Sequence, residues 1–236
     1  MIFNYLKYFL ISATTLNVLS TMEATQNTVE DVFTEFYEKG LWGKDEEGEG
    51  NSGWGSLEKN TRSYRTILTN ILRDYHITSV VDLGCGDWTF SKLIDWDGIE
   101  YIGFDVVPQV IEKNITKYST SSINFICTDG LTYDLPAADL LICKDVLQHL
   151  SNEDVFLFLS HLKKYKYCLI TNDCDPDVVR CKNINILTGG YRNIDMTLPP
   201  YNLRGREYLY SINRIQRNAP KMIKQVLFID NTRCPD

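Results

Sequence analysis

From Val80 onward the chain alternates short apolar blocks with amphipathic ones. Val80–Leu83, Tyr101–Asp105, Ile123–Cys127, Leu140–Cys143 and Tyr167–Thr171 are predicted strands, too uniformly apolar for sheets wetted on one face. Between them, Trp88–Asp95, Pro108–Tyr118 and Asn152–Lys164 are predicted helices. The second opens with proline in its first turn and the third follows Ser151 as a cap. Apolar strands alternating with helices define an α/β, doubly wound, mostly parallel sheet. The tail differs: Arg206–Ile212 and Lys221–Asp230 read as strands of a hairpin at the sheet edge, giving an antiparallel terminal strand.

Upstream, Thr28–Lys39 is a predicted helix, with Thr28 as cap, Glu30 and Asp31 at its positive end and Gly40 closing it. Ser56 is expected to cap a second helix running to Asp74. Between them, Trp42 to Gly55 holds five glycines, four acids and two tryptophans, which no regular element accommodates. A solvated linker is one reading, but linkers seldom carry tryptophan, so a loop closing over a site is an equal one. The organisation expected is an N-terminal segment 1–21, helices and a cover loop over 22–78, and a catalytic domain over 79–236.

The chain has 236 residues, 44% hydrophobic and 23% charged, which suits one globular α/β domain and excludes wholesale disorder. Its net charge of −7 and scattered basic residues give no general attraction for phosphates, so nucleic acid is not the expected partner. The seven cysteines contain no Cys-x-x-Cys pair, although Cys174 and Cys181 share a loop. Three histidines without a His-x-x-x-His pair leave no metal site to expect. Residues 1–20 carry Lys7 and an apolar stretch from Tyr8 to Leu19. Three readings stay open: a signal peptide cleaved near Val18-Leu19-Ser20, an anchoring helix that would be the one membrane contact, or a true start at Met22.

The chemistry concentrates in Val80-Val-Asp-Leu-Gly-Cys-Gly-Asp-Trp88. A buried strand runs into a glycine turn that lets a ligand approach the backbone, and a following helix would add positive potential. The next strand ends in Asp105, placed to take two ribose hydroxyls. Dinucleotide enzymes require a third glycine, and Thr89 stands there instead. The turn resembles the Asp-x-Gly-x-Gly motif of class I S-adenosylmethionine-dependent methyltransferases. Gly103-Phe-Asp105-Val-Val, Cys127-Thr-Asp129-Gly130 and Cys143-Lys-Asp145-Val-Leu-Gln-His149-Leu match that family's next three strand ends in order, covering about residues 79 to 172. The flanking Trp42-Gly43, Ser52-Gly-Trp-Gly-Ser56 and Pro200-Tyr-Asn-Leu203 resemble a narrower group of bacterial methyltransferase-domain proteins.

The resemblance implies a Rossmann-like methyltransferase fold binding S-adenosylmethionine. Asp82, Gly84, Cys85 and Gly86 would cradle its methionine end, with Cys143 beside it, Asp105 and Val106 would meet the ribose, and Asp129 and Gly130 the adenine. Asp82 has a second reading as support for the turn. Asp145 and His149 are the candidate catalytic bases, against a reading of His149 as a packed histidine. Placement alone supplies much of the rate in an in-line methyl transfer, so a strong base is not required. The amine-methylating Asn-Pro-Pro-Tyr signature is absent, its place taken by Cys143-Lys144-Asp145-Val146, which points to a small-molecule or glycan-type hydroxyl acceptor. Because that cofactor is an intracellular metabolite, a cytoplasmic catalytic domain is expected, with secretion or anchoring through residues 1–20 as the alternative. The functional rivals are a non-catalytic cofactor-binding protein and a nucleotide-dependent oxidoreductase.

Overall fold

A computed structural model of the chain describes residues 28–44, 48, 51–174, 183–212 and 222–233. The expectations for the N-terminal segment, for Cys181 and for Asp45, Glu46, Glu47 and Glu49 lie outside the described residues. Strands β1 (Ser79–Leu83), β2 (Glu100–Asp105), β3 (Ile123–Cys127), β4 (Leu140–Lys144), β5 (Tyr167–Cys174), β6 (Arg206–Ile212) and β7 (Met222–Asp230) form one sheet. Their order is β3-β2-β1-β4-β5-β7-β6, with β1 to β5 mutually parallel. The hairpin expected at the edge is present, and its later strand is the inner one: β7 pairs antiparallel with β5 and carries β6 on its far side. Burial explains the order, because Val226, Leu227 and Phe228 are all covered while β6 leaves Leu209 exposed.

Successive strand residues point to opposite faces and feed two cores. Val81, Leu141, Ile170 and Leu227 pack with Val155 and Phe158 of α4 (Asn152–His161). Val80, Ile142, Leu169 and Val226 pack with Tyr64, Leu68 and Ile71 of α2 (Arg62–Asp74). Helix α3 (Pro108–Tyr118) covers β2 and β3. Helix α1 (Val29–Lys39) is capped as its sequence implies, by a reciprocal Thr28–Asp31 box and by Gly40 in the left-handed region.

Two expected helices differ. Ser56 caps nothing: its hydroxyl donates to the Ser52 carbonyl, Leu57 is extended, and α2 starts only at Arg62 after two short 3₁₀ turns. Trp88–Asp95 is not an α-helix and keeps one 3₁₀ turn, Ser91–Leu93. Gly84, Gly86 and Trp88 all have positive φ, so the chain leaves β1 in a winding turn. Holding Trp88 left-handed costs about 1–2 kcal/mol. Burying its ring against Tyr101, Tyr118 and Phe125 contributes about 2–3 kcal/mol, which offsets the strain. The positive helix end expected beside the glycine turn is therefore absent.

Candidate active site

A cavity of about 460 Å³ lies over the carboxyl ends of β1 to β5 and extends to Lys224 on β7. The strand order reverses between β1 and β4, and a crevice at that switch point is where open α/β sheets bind ligands. Its size suits a small-molecule ligand.

The β1–β3 half contains most of the expected cofactor residues. Asp82, Gly84, Cys85, Gly86, Asp105, Val106 and Asp129 line it. Asp105 Oδ2 accepts the Gly86 N–H at 2.9 Å and Oδ1 the Val107 N–H at 3.1 Å. Burial raises its pKa, and the backbone donors of Val107 and Gly86 act against that rise. A carboxylate has about four lone-pair sites. Two are used by the backbone, leaving two for a ligand diol. Asp82 accepts from the Tyr101 hydroxyl at 2.7 Å, and burial pushes its pKa up to about 7. It therefore ties β1 to β2 and lines the cavity, and its bond goes to the Tyr101 side chain rather than to the backbone of the turn.

Asp129 Oδ1 accepts from the N–H groups of Leu131 and Thr132 at 2.9 and 3.1 Å, which fixes the loop after β3. Gly130 does not line the cavity. Its φ is +61° and a Cβ there would sit 2.0 Å from Leu83 Cδ1, so glycine lets the loop pack on β1. Cys143 is also corrected: it is fully buried in the core, in register with Ile170 of β5, and Lys144 and Asp145 face the cavity instead. Asp134, five residues beyond Asp129, pairs with Lys164 at the surface.

Gly84 has φ +74°, and a Cβ would lie 2.2 Å from Val146 Cγ2. Gly84→Val should therefore lose both cofactor affinity and stability, since left-handed strain alone costs about 1–3 kcal/mol. Calorimetric titration and thermal unfolding measure the two; normal values for both would mean that the turn tolerates a side chain.

The cover segment docks over this half. Ser52 donates its N–H to Asp87 Oδ2 at 3.0 Å and its hydroxyl accepts the Asp87 N–H at 2.7 Å. The Tyr37 hydroxyl lies 2.7 Å from the same Ser52 oxygen. Trp42 packs among Phe33, Phe36 and Tyr37 and against His149, with ring centroids 5.3 Å apart in the last pair. Trp54 lines the cavity, and its indole N–H is buried without a protein partner. An unpaired buried donor in a cavity wall is costly unless a ligand satisfies it.

The β4–β5–β7 half holds His149. Its Nδ1 lies 2.9 Å from the Gly190 carbonyl, which can only accept, so Nδ1 carries the proton and Nε2 is the acceptor, 3.4 Å from the Gln148 amide nitrogen. Burial lowers its pKa, partly opposed by the bond to Gly190, so the ring stays neutral below the ordinary imidazole range. Asp145 behaves otherwise. Lys144 and Lys224 each place an ammonium 2.6 Å from one of its oxygens. Burial would raise its pKa, but the two cations outweigh burial and hold it well below the usual carboxylate range. A carboxylate so stabilised is a poor proton acceptor, which removes Asp145 as a base. Lys224 also lies 2.6 Å from Asp173 Oδ1, and the Tyr191 hydroxyl donates to Asp173 Oδ2 at 3.0 Å. Sequence reasoning missed this set, although a lysine inside the apolar strand Ile223-Lys-Gln-Val-Leu227 is a signal that a buried anion must answer it.

The β3-β2-β1-β4-β5-β7-β6 sheet, with the glycine turn after β1, has the Rossmann-like fold shared by class I S-adenosylmethionine-dependent methyltransferases. Residues 81–165 match the family described as Methyltransferase domain. The chain is similar to daphnetin O-methyltransferase 1 of Secale cereale, 34% identical over 103 residues, which are 41% of this chain and 28% of that protein. It thus spans little more than a quarter of that relative. Its fold is shared with magnesium protoporphyrin IX methyltransferase of Synechocystis PCC 6803, solved with bound S-adenosylmethionine, at TM-score 0.56 and 15% identity over 86% of this chain and 98% of that one. A methyltransferase of Anabaena variabilis gives TM-score 0.57 and 14% identity over 87% of this chain and 96% of that one.

Proposed function

We propose that this chain transfers the methyl group of S-adenosylmethionine to a hydroxyl of a small molecule, glycan-type hydroxyls included. The observation that carries the oxygen acceptor is His149, a cavity-lining neutral imidazole with a fixed tautomer, whose Nε2 accepts a long 3.4 Å contact from the Gln148 amide that an acceptor hydroxyl would displace. The O-methyltransferase name of the Secale cereale relative favours the same atom.

Bound S-adenosylmethionine supplies an electrophilic methyl group on a sulfonium. Asp105 would hold the ribose through its two remaining lone-pair sites, the glycine turn the methionine end, and Asp129 the adenine side. His149 Nε2 takes the acceptor's hydroxyl proton as the oxygen becomes nucleophilic. Trp42 and Trp54 keep water from the reacting atoms. The test is calorimetric titration with S-adenosylmethionine together with transfer of a labelled methyl group to a panel of hydroxyl compounds. Binding with no turnover on any hydroxyl would support the non-catalytic rival.

The Trp42–Gly55 segment serves in this reading as a cover with glycine hinges. A glutamate-specific protease should cut it more slowly, and tryptophan fluorescence should shift, when S-adenosylmethionine is added. Equal cleavage with unchanged fluorescence would reduce the segment to a passive linker.

A further inference from the structure

The acceptor half of the cavity carries four charged side chains that methyl transfer does not use, Lys144, Asp173 and Lys224 buried and Asp145 partly so. They form an alternating chain, Lys144–Asp145–Lys224–Asp173, whose three links are each 2.6 Å. Every carboxylate oxygen in it has an ammonium or hydroxyl group within 3.0 Å. Asp145 has Lys144 on Oδ2 and Lys224 on Oδ1; Asp173 has Lys224 on Oδ1 and the Tyr191 hydroxyl on Oδ2. Two ammonium groups and two carboxylates cancel, and the neighbouring His149 is neutral. All four line the cavity, while the side chains of Lys224 and Asp173 keep only 2% and 3% of their exposure. This part of the wall is thus polar and without net charge.

We propose that Lys224 sets the acceptor's charge class: by cancelling carboxylates on β5 and after β4, it makes the site accept uncharged hydroxyl compounds and reject ammonium- and carboxylate-bearing ones. The inference rests on the methyl-transfer reading above and narrows its acceptor. A charged acceptor entering this half would leave water and find no spare counter-ion, so its desolvation would go unreturned. Discrimination would come from that penalty as much as from any new attraction. Lys224 is the informative position because its ammonium contacts carboxylates. Lys144 also donates to the Gly55 carbonyl at 3.2 Å and lies over the rings of Tyr64 and Phe90, so changing it would unseat the cover segment as well.

The test uses the full chain saturated with S-adenosylhomocysteine and three probes of one size: 2-phenylethanol, 2-phenylethylammonium and phenylacetate. Saturation-transfer NMR titration reads their affinities. The wild-type protein should prefer the alcohol by about tenfold over either ion. K224M leaves one carboxylate in excess and should move the preference toward the ammonium probe. D173N leaves one ammonium in excess and should move it toward phenylacetate, which keeps the test open should K224M fail to fold. The double variant K224M/D173N restores neutrality and should return the preference to the alcohol. Equal wild-type binding of charged and neutral probes, no binding of any probe, or an unchanged order in both single variants with S-adenosylhomocysteine still bound would overturn the proposal. Failure of the wild-type chain to bind S-adenosylhomocysteine would instead overturn the methyl-transfer reading.

Discussion

Replacing Asp105 by alanine should raise the dissociation constant for S-adenosylmethionine by about 30- to 1000-fold. Two hydroxyl bonds to a carboxylate contribute about 1.5–3 kcal/mol each, and water recovers part, leaving a loss of about 2–4 kcal/mol. Asp105 also accepts from the Gly86 and Val107 N–H groups, so the variant loosens the turn as well as the ligand contact. Asp105→Asn separates the two effects. It keeps one acceptor oxygen for the backbone and should bind better than the alanine variant but worse than the wild type. Calorimetry on all three proteins measures this, and unchanged affinity in Asp105→Ala would remove the residue from the site.

The second large effect is expected at His149. His149→Ala should lower kcat by about 10²–10⁴-fold, the range of a positioned general base, while leaving cofactor affinity nearly unchanged. The pH profile supplies the sign. Burial holds the imidazole pKa below its ordinary value, so Nε2 stays unprotonated as pH falls through the normal histidine range. Wild-type kcat/KM should stay flat there and fall only at lower pH, where the base becomes protonated. An alanine variant with wild-type kcat on the identified acceptor would show that placement alone drives the transfer.

The strands were legible because buried parallel strands are nearly continuous apolar runs, and Val80–Leu83 and Leu140–Cys143 lie within observed β1 and β4. The acidic strand ends were legible because Asp105 closes the apolar run of β2 and Asp129 lies two residues past the end of β3. Trp88–Asp95 misled because its composition permits a helix, whereas positive φ at the alternate positions Gly84, Gly86 and Trp88 and a buried indole direct the chain elsewhere. Cys143 and Gly130 misled for a finer reason. Position in a motif does not reveal which face a side chain takes, and one residue along β4 exchanges core for cavity. The charge chain was hidden because Lys224 meets Asp173 only through the β5–β7 register, a long-range pairing with no local signature. Asp145 looked like a base until its two lysine partners were placed beside it.

The inner position of β7 has a consequence for how the chain emerges during synthesis. Strands β1 to β5 are complete by Cys174, while β5's outer neighbour begins only at Met222. Until it arrives, the outer edge of β5, with Cys168, Leu169 and Ile170 all destined for the core, presents unpaired backbone groups beside apolar side chains. Such an edge is a template for pairing with a neighbouring chain. A nascent chain paused before Met222 is therefore in its most aggregation-prone state, and arrival of β7 both seals that edge and delivers Lys224 to the carboxylates awaiting it.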